Sequence, residues 1–554
     1  MPIDVTNLTG RSSGDRWNRA SVGDIWERLT WSFPDKEALV CREGAYAYPE
    51  NARLTYRQAD ELANRFANAL LARDLQPGDR VLAFCENSAE AYVAKIATAK
   101  AGLVFAPINP MLAPDVVAHL IDKVEPKLAI VDDQLWPKAE ESFALAGFEP
   151  TVTIPIDGEV LPGSVSFAEF VEDASTAEPD VRIEGDDIWE IIFTSGTTAM
   201  PKAAMVSHHY SYYGAYSFAL TLSRGVRFES EMRLVTFLPL IYHIADQIFS
   251  LPAFLCGGTV VVGRHYDPAQ LARTVSEEKI TALWGGSPAM LDEIAAEARK
   301  VEDELDFSAL SVVVFGWTAI PDRLVAELKR LSSEQLTLVE ILGQTEAIAC
   351  HRFWPDKWPE TFAANAGEKN YVGVPCPMVA SKIVDEGGRA LEGTVEEPGE
   401  VLYRSPVVTP GYYLDQEATE QAFRDGWFHS GDVCMYDEDG LRMMVDRSKD
   451  IVKSGGENVS SLRVEMILRE HPEVAKAAVV GLPHERWDEA VTAIVVAAEG
   501  ADPDPDQISS FCRERLAGYE SPKGVVVVDE LPETVGGKVL KYKLRDAYAG
   551  FYDG

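Results

Sequence analysis

Between positions 194 and 202 the chain reads Thr194-Ser195-Gly196-Thr197-Thr198-Ala199-Met200-Pro201-Lys202. Hydroxyl-bearing side chains compete with backbone hydrogen bonding and glycine turns tightly, so this segment suits neither helix nor strand. Backbone N–H groups and hydroxyls in such a loop converge on anionic oxygens, and the lysine at its end adds a point charge. The chemistry suggested is the cradling of a phosphate. The G-x-x-x-x-G-K spacing of the P-loop is absent. An ordinary Ser/Thr-rich surface loop remains the plain alternative.

Such a loop needs a scaffold. Ile188-Trp189-Glu190-Ile191-Ile192-Phe193 reads as a strand that feeds it. Upstream, Ala59, Leu62, Ala63, Phe66, Ala67 and Leu70 form a helical stripe within Thr55–Arg73. Pro77-Gly78-Asp79 then turns into an apolar strand over Arg80–Phe84, followed by a helix over Ala89–Lys100 and a short strand over Val104–Pro107. The alternation continues through Leu128–Val131, Thr259–Val262, Thr281–Leu283 and Leu310–Phe315, which predicts parallel α/β sheet covered by helices. From about Val372 short strands with Gly and Pro turns take over, as in Asp385-Glu386-Gly387-Gly388, and predict a small antiparallel, barrel-like unit over about 372–446. A mixed α+β tail follows Arg447.

At 554 residues two or more domains are expected. The composition, 46% hydrophobic and 25% charged, is that of a globular chain, and no apolar run reaches membrane-spanning length. Met1 to Arg16 lacks the apolar core of a secretory signal. The seven cysteines include no C-x-x-C pair, which points to reduced thiols in a cytoplasm and away from a zinc site. A net charge of −37 disfavours nucleic acid and anionic membrane as partners. Against that background Lys538, Lys541, Lys543 and Arg545, with no acid among residues 538 to 545, form a local cationic cluster.

The phosphate loop resembles that of the adenylate-forming (AMP-binding) enzymes, in the acyl-CoA synthetase branch, and further segments match in the family's order. Pro239-Leu240-Ile241-Tyr242-His243 resembles the segment with an acyl-pocket histidine. Gly343-Gln344-Thr345-Glu346 resembles the element whose Thr meets the α-phosphate and whose Glu holds magnesium. Gly426 to Asp432 resembles the element whose Asp binds the ribose hydroxyls. Asp446-Arg447-Ser448-Lys449-Asp450 resembles the hinge, with Arg447 at the ribose and Lys449 at the pivot. Ser454-Gly455-Gly456-Glu457 resembles the loop lining the pantetheine tunnel, and Thr534 to Lys538 the C-terminal segment whose lysine bridges carboxylate and α-phosphate. The resemblance implies a large domain over 1–447 and a small mobile domain over 448–554. It implies catalytic roles for Lys538, Thr345, Glu346, His243 and Lys449, with Glu346 as the metal ligand. Nucleotide and CoA contacts fall on Thr194, Ser195, Gly196, Thr197, Thr198, Lys202, Trp317, Thr318, Leu342, Asp432, Arg447, Gly455 and Gly456. Acyl-pocket candidates are His243, Asp246, Gly285, Gly286, Ser287, Gly316 and Trp317, whose glycines leave room for a bulky apolar acid.

Four departures fall on the nucleotide. Gly316-Trp317-Thr318-Ala319 replaces a G-G-A-P strip, Leu342 replaces an aromatic, and Ala199 and Ala203 replace glycines. The lost aromatic forfeits about 0.5–1.5 kcal/mol of stacking, and Ala199 costs on the order of 1 kcal/mol if its backbone must be left-handed. The CoA side carries only Ser461 in place of a common proline. The expectation is therefore an acyl-CoA ligase that keeps thioesterification of an acyl-adenylate, with AMP released, while ATP-dependent adenylation is impaired, which implies a separate adenylating enzyme as partner. A complete synthetase using ATP, Mg2+, a carboxylic acid and CoA is the alternative, with Trp317 turned toward the acyl pocket. Outside enzymology, a non-catalytic acid or nucleotide binder stays open. A peptide-synthetase domain should be followed by a carrier domain. The residues leave a homodimer open.

Overall fold

In a computed structural model of the chain, residues 19–194, 200–365, 369–455, 457–534 and 538–552 are described. Three sheets organise them. The first has seven strands in the order Val165–Ser166, Val152–Ile154, Leu128–Asp132, Arg80–Phe84, Val104–Pro107, Ile188–Thr194, Lys202–Ser207. All its pairings are parallel except the last. The predicted strands at Arg80–Phe84 and Val104–Pro107 and the helix at Ala89–Lys100 fall on their expected bounds.

A second sheet of fourteen strands has a parallel half, running Glu37–Cys41, Thr259–Val262, Arg233–Thr236, Ala282–Trp284, Val312–Gly316, Thr337–Gln344. Val312, Val313, Val314 and Phe315 are all buried, because helices cover both faces and both side-chain directions must be apolar. After Gln344 the pairing turns antiparallel through Ala347–Phe353, Asn370–Pro375, Arg442–Arg447, Trp427–Tyr436, Gly399–Arg404 and Ala380–Val384. The antiparallel unit expected over about 372–446 is thus hydrogen-bonded to the parallel sheet and runs on as an open path. A third sheet of five strands takes all its strands from the tail, between Val452 and Val528.

Local sequence explains the helices that support this frame. Thr55 caps the helix Tyr56–Leu71 by accepting from Gln58 N, and the Gln58 side chain accepts from Thr55 N. That reciprocal box contributes about 1 kcal/mol. Ala59, Ala63, Phe66, Ala67 and Leu70 then face the core. The helix Ala89–Lys100 is buried along its whole length, Lys95 included, so it shows no polar face in the sequence. No described helix is long and apolar enough to cross a membrane.

Candidate active site

Thr194 pairs with Lys202 at the end of the antiparallel pair Ile188–Thr194 and Lys202–Ser207, so the two described ends of the phosphate-loop candidate lie side by side. Ser195, Gly196, Thr197 and Thr198, with Ala199, lie outside the described residues. Residues 409 to 413 run along the outer edge of Lys202–Ser207, with Met205 N donating to Gly411 O at 3.0 Å and Tyr413 N to Ala203 O at 2.8 Å. This edge strap delivers Tyr412. Lys202 Nζ lies 4.7 Å from the Tyr412 ring centre, and Tyr412 Oη donates to Glu346 Oε1 at 2.8 Å. Tyr210 Oη donates to Thr345 O at 2.9 Å, and Thr409 N to Glu346 O at 2.6 Å. Lys202, Thr345 and Glu346 are therefore brought together through Tyr210 and Tyr412, two tyrosines that sequence reasoning missed. Their only signal is aromatic side chains beside a glycine (Gly411) and a cap serine (Ser207).

Glu346 is a single buried carboxylate, and no group of three or more His, Cys, Asp or Glu capable of holding a metal occurs among the described residues. That fits magnesium, which keeps several waters and shares its coordination with substrate phosphates, and does not fit a metal caged wholly by protein.

Asp432 and Arg447 face each other across neighbouring antiparallel strands, with Arg447 Nε 3.2 Å from Asp432 Oδ1. Gln344 Nε2 donates to Asp432 Oδ2 at 3.2 Å. Oδ1 of Asp432, a residue 1% exposed, is held by the Arg447 ion pair and accepts no hydrogen bond of good geometry, which leaves it a lone pair for a ligand hydroxyl. Burial pushes the Asp432 carboxyl up, opposed by the positive charges of Arg447, Lys538 and Lys449. Lys538 is held by a turn in which its N–H donates to Thr534 Oγ1 at 3.2 Å and Thr534 N donates to its carbonyl at 2.8 Å. Arg447, then burial, then Lys449 lower the Lys538 pKa to about 7. Three cations thus crowd one buried carboxylate. Lys541 and Arg545 point elsewhere: Lys541 pairs with Glu465 at 2.8 Å and donates to Ser461 Oγ, while Arg545 clamps Asp450 and the Lys449 carbonyl. Of these three basic residues only Lys538 joins the cluster. Ser461 itself donates its N–H to Asp446 Oδ2 at 2.7 Å, a bond the usual proline could not make.

His243 opens on the cleft, yet the walls crowd its ring. That desolvation, with the Lys538 charge second, lowers its pKa to about 4. Nδ1 accepts from Ala245 N at 3.1 Å, which leaves the proton on Nε2 in the neutral ring. Asp246 lies behind this wall and not on it. It is 0% exposed, with Lys95 Nζ 2.7 Å from Oδ2 and 2.6 Å from Glu190 Oε1. Gln247 Nε2 donates to both carboxylates at 3.0 Å. Lys95 and Glu190 were not expected, although a lysine inside an otherwise apolar helix is a signal.

Ser287 caps the helix Pro288–Lys300 through Met290 N. Gly285 and Gly286 are buried, and a Cβ on either would strike Leu291 at 2.2 Å or Met290 Sδ at 2.6 Å. The sequence-based expectation that Gly285 and Gly286 leave room for a bulky acid is not met, because neighbouring side chains already fill the space beside them. Trp317 packs near Trp284, with ring centroids 5.5 Å apart. Thr318 Oγ1 accepts from Arg469 Nη1 at 3.4 Å, a contact from the tail. Leu342 packs into the antiparallel core. Ala203 is fully buried in a strand, outside the left-handed region, so no glycine is required there. Gly455, at φ +63°, lies under Trp487, which a Cβ would meet at 3.0 Å. Gly456 lies outside the described residues.

The AMP-binding enzyme profile matches residues 27–413, and the profile of the AMP-binding enzyme C-terminal domain matches residues 463–538. The chain belongs to the AMP-binding enzyme family. This AMP-binding enzyme is 31% identical to a feruloyl-CoA synthase of Amycolatopsis sp over 514 residues, 93% of this chain and 98% of the relative. It is also 31% identical to a long-chain-fatty-acid–CoA ligase of Mycobacterium tuberculosis, over 94% of this chain and 99% of the relative. Among solved structures it resembles an anthranilate CoA ligase in complex with anthranoyl-AMP, at TM-score 0.82 and 25% identity, covering 95% and 97% of the two chains. ATP-bound MatB from Rhodopseudomonas palustris follows at TM-score 0.80 and 29% identity, covering 96% and 99%. The protein is an enzyme of the acid–thiol ligase class, which sets aside the non-catalytic binder.

Proposed function

We propose that this AMP-binding enzyme performs both half-reactions of an acyl-CoA ligase. A carboxylate oxygen attacks the α-phosphorus of ATP and pyrophosphate leaves. The CoA thiol, losing its proton, then attacks the acyl carbon, and AMP leaves. The observation that carries this reading is the gathering of Lys538, Arg447 and Lys449 at buried Asp432, where Lys538 keeps a lowered pKa although Asp450 also faces it, inside a chain of net charge −37. Two anions must approach each other in the first step, and fixed cations offset their repulsion where charge develops. Lys538 takes that role between carboxylate and α-phosphate. Asp432, held by Arg447 at Oδ1 and by Gln344 at Oδ2, accepts the ribose hydroxyls with its remaining lone pairs. Glu346, set by Tyr412, would hold magnesium, which would offset charge on the phosphates. Lys202, Thr194 and the loop between them receive the remaining phosphate oxygens, and neutral His243 offers its Nε2–H to the acyl group.

Residues 448–554 act as a lid turning near Lys449, about which Arg545 and Asp450 form a clamp. Here the lid presents Lys538. Turning it exchanges Lys538 for Gly455 and Gly456, whose missing side chains admit the pantetheine arm. Seven free thiols fit a reducing compartment, the cytoplasm.

The thioester-only reading keeps one supporting observation, Leu342 turned into the antiparallel core where an adenine-covering aromatic is usual. Two other departures lose weight, because Ala203 is unstrained and Trp317 packs beside Gly286, an acyl-pocket candidate. The test is CoA-thioester formation in two arms, free acid with ATP and magnesium against the matching synthetic acyl-adenylate. Product in both supports the complete ligase. Product from the adenylate alone overturns it in favour of a thioester-only enzyme served by a separate adenylating enzyme.

A further inference from the structure

Trp317 holds a backbone conformation that a β-carbon disfavours, at φ +72°. The residue before it leaves no slack. Gly316 is paired with Ile341 in the parallel ladder, its N–H donates to Gly286 O at 3.1 Å, and a Cβ there would stand 3.0 Å from Ile341 O. Glycine at position 317 would relieve the strain, so the indole must be kept for what it contacts. It ends a row of rings. Phe218 meets Phe249 edge-on at 5.7 Å, Phe249 stacks on Trp284 at 4.4 Å and 15°, and Trp284 lies 5.5 Å from Trp317 at 58°. The opposite edge of the indole, Cζ3, comes within 3.4 Å of where a Gly286 Cβ would be. Gly286 itself is a glycine because its φ is +76° and because Met290 Sδ and Leu238 stand 2.6 and 3.1 Å from where a Cβ would be; the indole is its next neighbour, at ordinary contact distance. The indole is only partly buried, so part of its surface is free to meet a ligand beside Gly286.

We infer that Trp317 is the specificity-determining wall of the acyl pocket, where its indole selects a planar aromatic carboxylic acid and blocks long flexible acyl chains. The inference rests on the ligase reading above. A rigid row of rings cannot swing aside as one side chain could, so a long chain meets a fixed end wall. A flat ring gains offset or edge-to-face contact with the indole, and a saturated chain gains only area.

The test compares wild type with W317G and W317F on a panel of benzoate-, phenylacetate- and cinnamate-type acids against straight-chain acids of graded length. Wild type is expected to favour aromatic acids, and W317G to lose about tenfold in kcat/KM on them while gaining on long chains, with KM for ATP unchanged. W317F, which keeps a ring, is expected to retain the aromatic preference. Glycine relieves the backbone but gives up the packing on Trp284, so a thermal melt establishes that W317G is folded under assay conditions, and W317F, which keeps a ring, carries the comparison if it is not. An unchanged acid ranking in W317G together with a raised KM for ATP would assign the indole to adenine and overturn the inference, as would a long-chain preference in wild type. Failure of the ligase reading shows separately, as wild type yielding no thioester from any acid or adenylate. Calorimetric binding of aromatic and alkyl acyl-sulfamoyl adenosines to both proteins then decides the wall without turnover: equal preference in wild type and W317G overturns it.

Discussion

Two charged clusters lie on either side of the His243 wall and differ in kind. Behind it, Lys95 is sealed between Glu190 and Asp246 and donates to the Leu240 and Ile241 carbonyls at 3.3 and 3.4 Å, while Gln247 bridges the two carboxylates. Burial raises both carboxyls, so this cluster balances internally and needs no ligand. In front, Lys538, Arg447 and Lys449 gather at Asp432 with Asp450 beside them, and Arg447, burial and Lys449 together hold the Lys538 pKa near 7. The first cluster ties the helix Ala89–Lys100, the strand feeding the phosphate loop and the acyl segment into one body. The second is compensated only in part: Asp432 and Asp450 face its cations, yet Lys538 keeps a lowered pKa, and a bound anion would complete the balance. A buried cation that its protein partners do not fully hold marks a candidate site.

Breaking the sealed cluster should have the largest effect. K95M strands two buried carboxylates, and urea unfolding is expected to show a loss of about 3–5 kcal/mol. A loss below about 1 kcal/mol would mean that the pair carries no structural role. In the open cluster, K538A should fold normally yet lose about 10²–10³ in ATP-driven adenylation, by analogy with removing one fixed donor from developing charge. Thioester formation from a supplied adenylate should stay within a few-fold of wild type. Equal loss in both would place Lys538 in both steps.

The pH dependence separates the clusters further. The folded pKa of Lys538, about 7, lies below that of an unfolded lysine. The unfolded chain therefore holds the extra proton between these values, and the Lys538 contribution to stability rises with pH across that window. Anion binding has the opposite sign, since it needs the charged form: kcat/KM for ATP should fall as pH rises through about 7. K538A should lack this limb. His243, at about 4, contributes nothing to it. The smallest effect is expected for R545A, whose guanidinium meets Asp450 and a backbone carbonyl. A change in KM for ATP of about twofold or less fits a peripheral ion pair; a tenfold rise would move Arg545 into the anion site.

Regular elements were legible because their signals are local. The strand Thr259–Val262 and the helix Ala89–Lys100 follow from β-branched runs and a serine cap at Ser88. The site was legible as ordered short segments, yet their neighbours were not. Tyr412 reaches Glu346 across 66 positions, and Lys95 meets Asp246 across 151. Neither pair leaves a spacing to read. The cationic run from 538 to 545 misled in the other direction, because Lys541 and Arg545 turn to hold the hinge.

From residues alone, periodicity, caps and the order of motifs determine the α/β class, the antiparallel unit, the tail and the AMP-binding chemistry, since each depends on neighbours within a few positions. Only the tertiary structure decided which charges face one another, that space beside Gly285 and Gly286 is already filled, and that Trp317 packs between Trp284 and Gly286. Those outcomes depend on distances and excluded volume between distant strands, which no local pattern carries.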